Sequence, residues 1–135
     1  LLLVALIQSP SAKAGQSEYM RLKDVSFAQP HSGNSTEKVC FRFDSDEVPT
    51  VHSLSGDNPR LFFDLRPCLQ EPEKRQYVSQ GELVEKVRMY LHKAEKRPRV
   101  VVDLDASLDY RVQQFYHPEE RMLCLVVDRL ESSVK

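Results

Sequence analysis

The sequence predicts an all-β protein, a β-sandwich of two similar four-stranded sheets that arose by internal duplication. The first observation behind this is a repeat. Laying Lys38-Val39-Cys40-Phe41-Arg42-Phe43-Asp44 on Arg99-Val100-Val101-Val102-Asp103-Leu104-Asp105, a spacing of 61 (99 − 38), sets Val51 on Val112, Leu54 on Phe115, Arg60 on Arg121 and Leu61 on Met122 without a gap. Upstream, a spacing of 62 (87 − 25) sets Val25 on Val87 and Leu22 on Val84. The second observation is punctuation: short apolar runs alternate with turn formers and few helical signals intervene, which argues a sandwich or barrel rather than a βαβ sheet. The third is size. At 135 residues the chain makes one domain, so its two halves must share a core, most simply as sheets packed face to face.

Taken in order, residues 20–27 carry Met20, Leu22, Val25 and Phe27 in near alternation, with a slip at Lys23-Asp24 that reads as a bulge. Residues 29–36 are dense in turn formers and predict an exposed loop. Val39, Phe41 and Phe43 then face one way and Cys40 and Arg42 the other, the period of a half-buried strand. Residues 48–54 include the β-branched Val48, Thr50 and Val51, but Pro49 cannot donate to a ladder and places this strand at an edge. After the turn Ser55-Gly56-Asp57-Asn58-Pro59, residues 60–65 return as an apolar strand that Pro67 ends. Residues 70–81 are charged and aperiodic and predict a connector, with a helical turn over 71–75. The second unit repeats the order: strands at 83–91, 99–104, 110–116 and 121–127, with a loop at 93–98 and a turn at His117-Pro118-Glu119-Glu120. Eight strands result.

Lys+Arg number 19 against Asp+Glu 20, so there is no basic field to draw nucleic acid and no acidic solvating tail. Leu1 to Ile7 is an apolar run too short to cross a bilayer, followed by Ala12-Lys13-Ala14; residues 1–14 therefore read as a partial signal peptide cleaved after Ala14, leaving a single domain over 15–135 with its core at 20–128 and no membrane insertion. An exported protein meets an oxidising compartment, yet three cysteines leave at least one thiol unpaired. Cys40 and Cys124 lie in apolar runs and read as small buried hydrophobes ahead of disulfide partners, and the pairing of Cys40, Cys68 and Cys124 stays open.

The Val84-Val87-Arg88 strand, the Arg99-to-Leu104 strand and Asn58-Pro59-Arg60-Leu61-Phe62-Phe63-Asp64-Leu65 together resemble the AMIN domain, over roughly residues 20–128. That family stands ahead of the catalytic part of bacterial cell-wall amidases and the pore-forming part of type IV pilus secretins. The resemblance implies a periplasmic, non-catalytic sandwich that binds peptidoglycan and localises an amidase, a secretin or another envelope protein, here as a stand-alone AMIN-like protein or a fragment. Where the family usually has Gly-Gln after Val87-Arg88, this chain has Met89-Tyr90-Leu91-His92.

Peptidoglycan presents carboxylates, amides and sugar hydroxyls. Arg60, Arg88, Arg99 and Arg121 at strand ends suit the carboxylates through their planar forks, and Tyr90, Tyr110 and Tyr116 offer flat faces with polar tips. The same arginines also suit structural work, as solvated edge charges or as partners of Asp64, Asp103 or Asp128. Signals for catalysis are lacking: His31, His52, His92 and His117 are scattered, with no HExxH, HxH or paired-Cys metal spacing and no G-x-S-x-G elbow. Asp103 and Asp105 share one face of a strand, but nothing supplies the opposing half of a sugar-cleaving cleft. The expectation is thus a non-enzyme without metal or cofactor that binds the cell wall; the alternative is a structural or interaction subunit of a pilus, secretin or divisome assembly that docks by a strand edge.

Overall fold

A computed structural model describes residues 20–28, 36–67, 75–107 and 109–130. The expected leader, most of the loop at 29–36, the start of the connector and Cys68 lie outside them. The fold is all-β, with nine strands among the described residues: β1 (Leu22–Ala28), β2 (Thr36–Phe43), β3 (His52–Leu54), β4 (Arg60–Asp64), β5 (Arg75–Val78), β6 (Val84–His92), β7 (Arg97–Leu104), β8 (Asp109–His117) and β9 (Met122–Leu130). A 3-10 turn, Pro118–Glu120, links the last two. They form two antiparallel sheets: sheet A in the order β1-β2-β9-β8 and sheet B in the order β3-β4-β7-β6-β5.

Sheet B has five strands rather than the expected four, because Arg75–Val78 pairs with β6. Four residues with two polar positions are too short to show a period in a charged stretch, so this strand forms only because β6 offers a free edge. The strand expected over 48–54 shrinks to His52–Leu54, since Pro49 has no N–H for a ladder; it does lie at the edge of its sheet.

Each half of the chain contributes one hairpin to each sheet. The first half gives β1-β2 to sheet A and β3-β4 to sheet B; the second gives β6-β7 to sheet B and β8-β9 to sheet A. The two long hairpins share their register down to the bulge. In β1 the register shifts between Leu22 and Asp24, and in β6 between Val84 and Lys86, each 62 residues later. Loop hydrogen bonds follow the same spacing: Phe43 N–H donates to Arg121 O and Leu104 N–H to Pro59 O, while Asp44 N–H donates to Arg21 O and Asp105 N–H to Leu83 O. These bonds set Pro59 level with Arg121, and Phe41↔Leu123 against Val102↔Leu61 sets Leu61 level with Leu123. The expected matches of Arg60 with Arg121 and Leu61 with Met122 are therefore one residue out. The second half carries two more residues than the first between these strands and the turn, which sets Leu54 level with His117, and the turn between Leu54 and Arg60, one residue longer than that between His117 and Met122, takes one of them back.

One core lies against both sheets. Val39, Phe41 and Phe43 of β2 and Leu123, Leu125 and Val127 of β9 are buried with Leu61 and Phe63 of β4, Val87 of β6 and Val100 and Val102 of β7. Phe63 meets Phe41 edge-on with centroids 5.0 Å apart, and Phe43 at 5.9 Å, the offset geometry that aromatic quadrupoles favour. Burying each of these side chains contributes about 2 kcal/mol or more.

Two further ties join the halves. Cys40 and Cys124, directly opposed on β2 and β9, form a disulfide across 84 residues of sequence; both are buried, as expected, but they are bonded rather than free. The second tie is Glu37. Its buried carboxylate accepts the backbone N–H groups of Glu82 (2.6 Å), Leu83 (2.9 Å) and Val84 (2.9 Å), so a charge from sheet A satisfies the start of β6 in sheet B.

Candidate functional site

The outer face of sheet B carries most of the candidate residues. Strand alternation turns Arg60, Phe62 and Asp64 of β4, Arg99, Val101 and Asp103 of β7, and Lys86, Arg88 and Tyr90 of β6 away from the core. Cross-strand register aligns them in rows: Arg60, Asp103 and Lys86; Phe62, Val101 and Arg88; Asp64, Arg99 and Tyr90. His52 of β3 extends the second row and stacks on Phe62 at 5.0 Å and 27°.

Two arginines on this face are committed to carboxylates. Arg88 donates Nε to Asp103 Oδ2 at 2.6 Å and Nη2 to Oδ1 at 3.0 Å. Arg99 grips Asp64 in the same way, Nε to Oδ1 at 2.8 Å and Nη2 to Oδ2 at 3.0 Å. Both guanidiniums are pushed above their ordinary pKa, first by the hydrogen bond to the partner aspartate, which outweighs partial burial. The Arg99 guanidinium also lies 4.4 Å from the Phe62 ring centroid, and that of Arg88 lies 5.9 Å from Tyr90, within cation–π reach. These stems and rings cover Val101, which is 2% exposed although it faces outward.

Beside them is an open pocket of about 510 Å³, lined by Asn58, Pro59, Arg60, Glu85, Lys86, Arg88, Tyr90, Asp103 and Leu104. Arg60 donates Nη1 to Asn58 O at 2.8 Å. Neither Arg60 nor Lys86 forms an ion pair with a described residue. The pocket therefore holds two available cations, a fixed Arg–Asp pair and one tyrosine face. Such an arrangement can bind a carboxylate and a neighbouring polar chain. Among the described residues no group of three or more His, Cys, Asp or Glu is placed to hold a metal ion, and no helix is long and apolar enough to cross a membrane.

Of the residues singled out from sequence, Arg60, Arg88 and Tyr90 share this pocket, and Arg99 lies next to Tyr90 on the same face. Arg121 and Tyr110 belong elsewhere. Arg121 precedes β9 in sheet A and donates Nε to Asp46 Oδ1 at 2.9 Å. Tyr110 of β8 packs against the core and donates its hydroxyl to the Asp105 carbonyl; burial first, then the Asp105 charge, raises its pKa to about 12. Lys86 and Glu85 were missed. The alternation Lys86, Arg88, Tyr90 signals the first of these, whereas the bulge at Val84/Lys86 that brings Glu85 to the pocket wall leaves no clear mark in sequence.

Comparison of this chain with known protein families, with curated proteins and with solved structures finds no match.

Proposed function

We propose that this chain is a non-catalytic, periplasmic domain that binds peptidoglycan through the outer face of sheet B, and that its two sheets are a sandwich built by duplication of one four-strand unit. The duplication is supported by the shared strand order, the matching bulges at Leu22/Asp24 and Val84/Lys86, and the paired bonds from Phe43 to Arg121 and Leu104 to Pro59. The fifth strand of sheet B, β5, is then an addition at its edge.

One observation carries the wall-binding reading. Arg60 and Lys86, without carboxylate partners among the described residues, line one open pocket with the Arg88–Asp103 pair and Tyr90. A peptide stem supplies free carboxylates for the two cations, and its amides and the glycan hydroxyls suit the polar rim and the tyrosine face. The fixed Asp partners keep Arg88 and Arg99 in place before any ligand arrives, which lowers the ordering cost of binding. In this reading the domain positions an amidase, a secretin or another envelope protein at the wall. Co-sedimentation with purified sacculi tests it: retention in the pellet is expected, whereas a docking subunit of a pilus or secretion assembly stays in the supernatant.

A further inference from the structure

Every open sheet ends in two strands whose outer backbone groups lack ladder partners, and proteins blunt such edges with short strands, bulges, proline or lysine. Three of the four edges here follow that rule. β3 has three residues and β5 four, and β1 is broken by its bulge and carries Lys23. β8 is different. It runs nine residues, Asp109–His117, in unbroken register with β9, with no proline, glycine or lysine, and among the described residues no strand pairs with its other side. Its outward face also exposes Phe115, at 49%.

We propose that the edge of β8 is an interface for a second copy of this chain, the two β8 strands pairing antiparallel about a twofold axis at Gln113 and joining two copies of sheet A into one eight-stranded sheet. The strand is self-complementary in that register. Asp109 stands opposite the partner's His117, Arg111 opposite the partner's Phe115, and Tyr110 opposite the partner's Tyr116, each contact occurring twice by symmetry. The outward pairs join an acid to an imidazole and a cation to an exposed ring. Shifting the register by two residues sets Arg111 against His117 and leaves Asp109 unmatched, so the charge pattern selects the central alignment. Arg111 is free to take part: its side chain is 65% exposed and lies only loosely against Asp128, at 3.7 Å.

Light scattering over a micromolar dilution series tests this with wild-type protein and Gln113→Lys, which sets two ammonium groups against each other at the axis while leaving the core-facing side chains of β8 unchanged. A concentration-dependent dimer is expected, with its dissociation constant raised about tenfold or more in the variant. A wild-type monomer throughout, or a dimer that Gln113→Lys leaves intact, overturns the proposal. Gln113→Cys in a Cys68→Ser background keeps it testable should the lysine variant misfold: oxidation is expected to give a covalent dimer linked through position 113, and its absence under conditions where the chain is otherwise dimeric counts against the register.

Discussion

The carboxylate of Glu37 occupies the space that a side chain on Gly81 would need: a Cβ there would lie 2.4 Å from Glu37 Oε1. The residue before the three N–H donors must therefore be glycine for the acid to reach them. Gly81→Ala is expected to displace the carboxylate and destabilise the fold by about 2–3 kcal/mol, and Glu37→Ala by a similar amount, because either change strands buried backbone donors. The double variant should cost little more than either single one, since both remove the same contact. Urea unfolding of the three variants checks this; additive losses would mean that the two residues act separately.

On the outer face of sheet B, Arg99 and Asp64 are each only 20% exposed at their side chains, so their two-bond pair is better shielded than an ordinary surface ion pair. A double-mutant cycle with Arg99→Ala and Asp64→Ala is expected to give a coupling energy of about 1–2 kcal/mol. A value near zero would show that the pair is ornamental to stability.

Tyr110 provides a pH signature. Its pKa is raised from 10.0 to about 12, chiefly by burial. A folded-state pKa above the unfolded one contributes stability that is complete below the unfolded value and is lost as pH rises through the folded value. The fold should therefore weaken between about pH 10 and 12. A tyrosinate absorbance titration should show a step near pH 12, and Tyr110→Phe should remove it. Persistence of the step in the variant would assign it elsewhere, Tyr116 being the next candidate because burial raises it too.

The Cys40–Cys124 bond closes a span of 84 residues and joins a strand of the first half to one of the second. Constraint of so long a loop in the unfolded chain stabilises by about 4.5 kcal/mol in the chain-entropy account. Thiol titration of denatured, unreduced protein should find one free thiol of the three cysteines, and the Cys40→Ala/Cys124→Ala double variant should unfold at markedly lower urea. Three free thiols would refute the bond.

What could be read in sequence was whatever repeats or alternates locally. The strands at Val39–Phe43 and Val100–Leu104 announce themselves by apolar alternation and by their 61-residue spacing, and the slip at Lys23-Asp24 marks the bulge that β1 shows. Contacts between distant segments left no such trace. Glu37 looks like an ordinary strand charge until the fold brings residues 82–84 to it, and the pairing of Cys40 with Cys124 depends on β2 meeting β9. The candidate site divides in the same way: a face holding Arg88 and Tyr90 follows from period two, but that Arg99 pairs with Asp64 while Arg60 has no ion-pair partner among the described residues depends on which strand lies beside each. Arg121 joins them in sequence through its repeat match with Arg60 and its place at a strand end, and Tyr110 through residue type, but the topology sends both to sheet A.

Co-sedimentation of wild-type and Arg60→Ala/Lys86→Ala protein with purified sacculi tests directly whether these two cations, which have no ion-pair partner among the described residues, hold the cell wall. The account predicts that wild type pellets with the sacculi, that added salt weakens this retention, and that the double variant stays in solution with its unfolding curve unchanged. Wild-type protein left in the supernatant, or a folded double variant pelleting as fully as wild type, would contradict it.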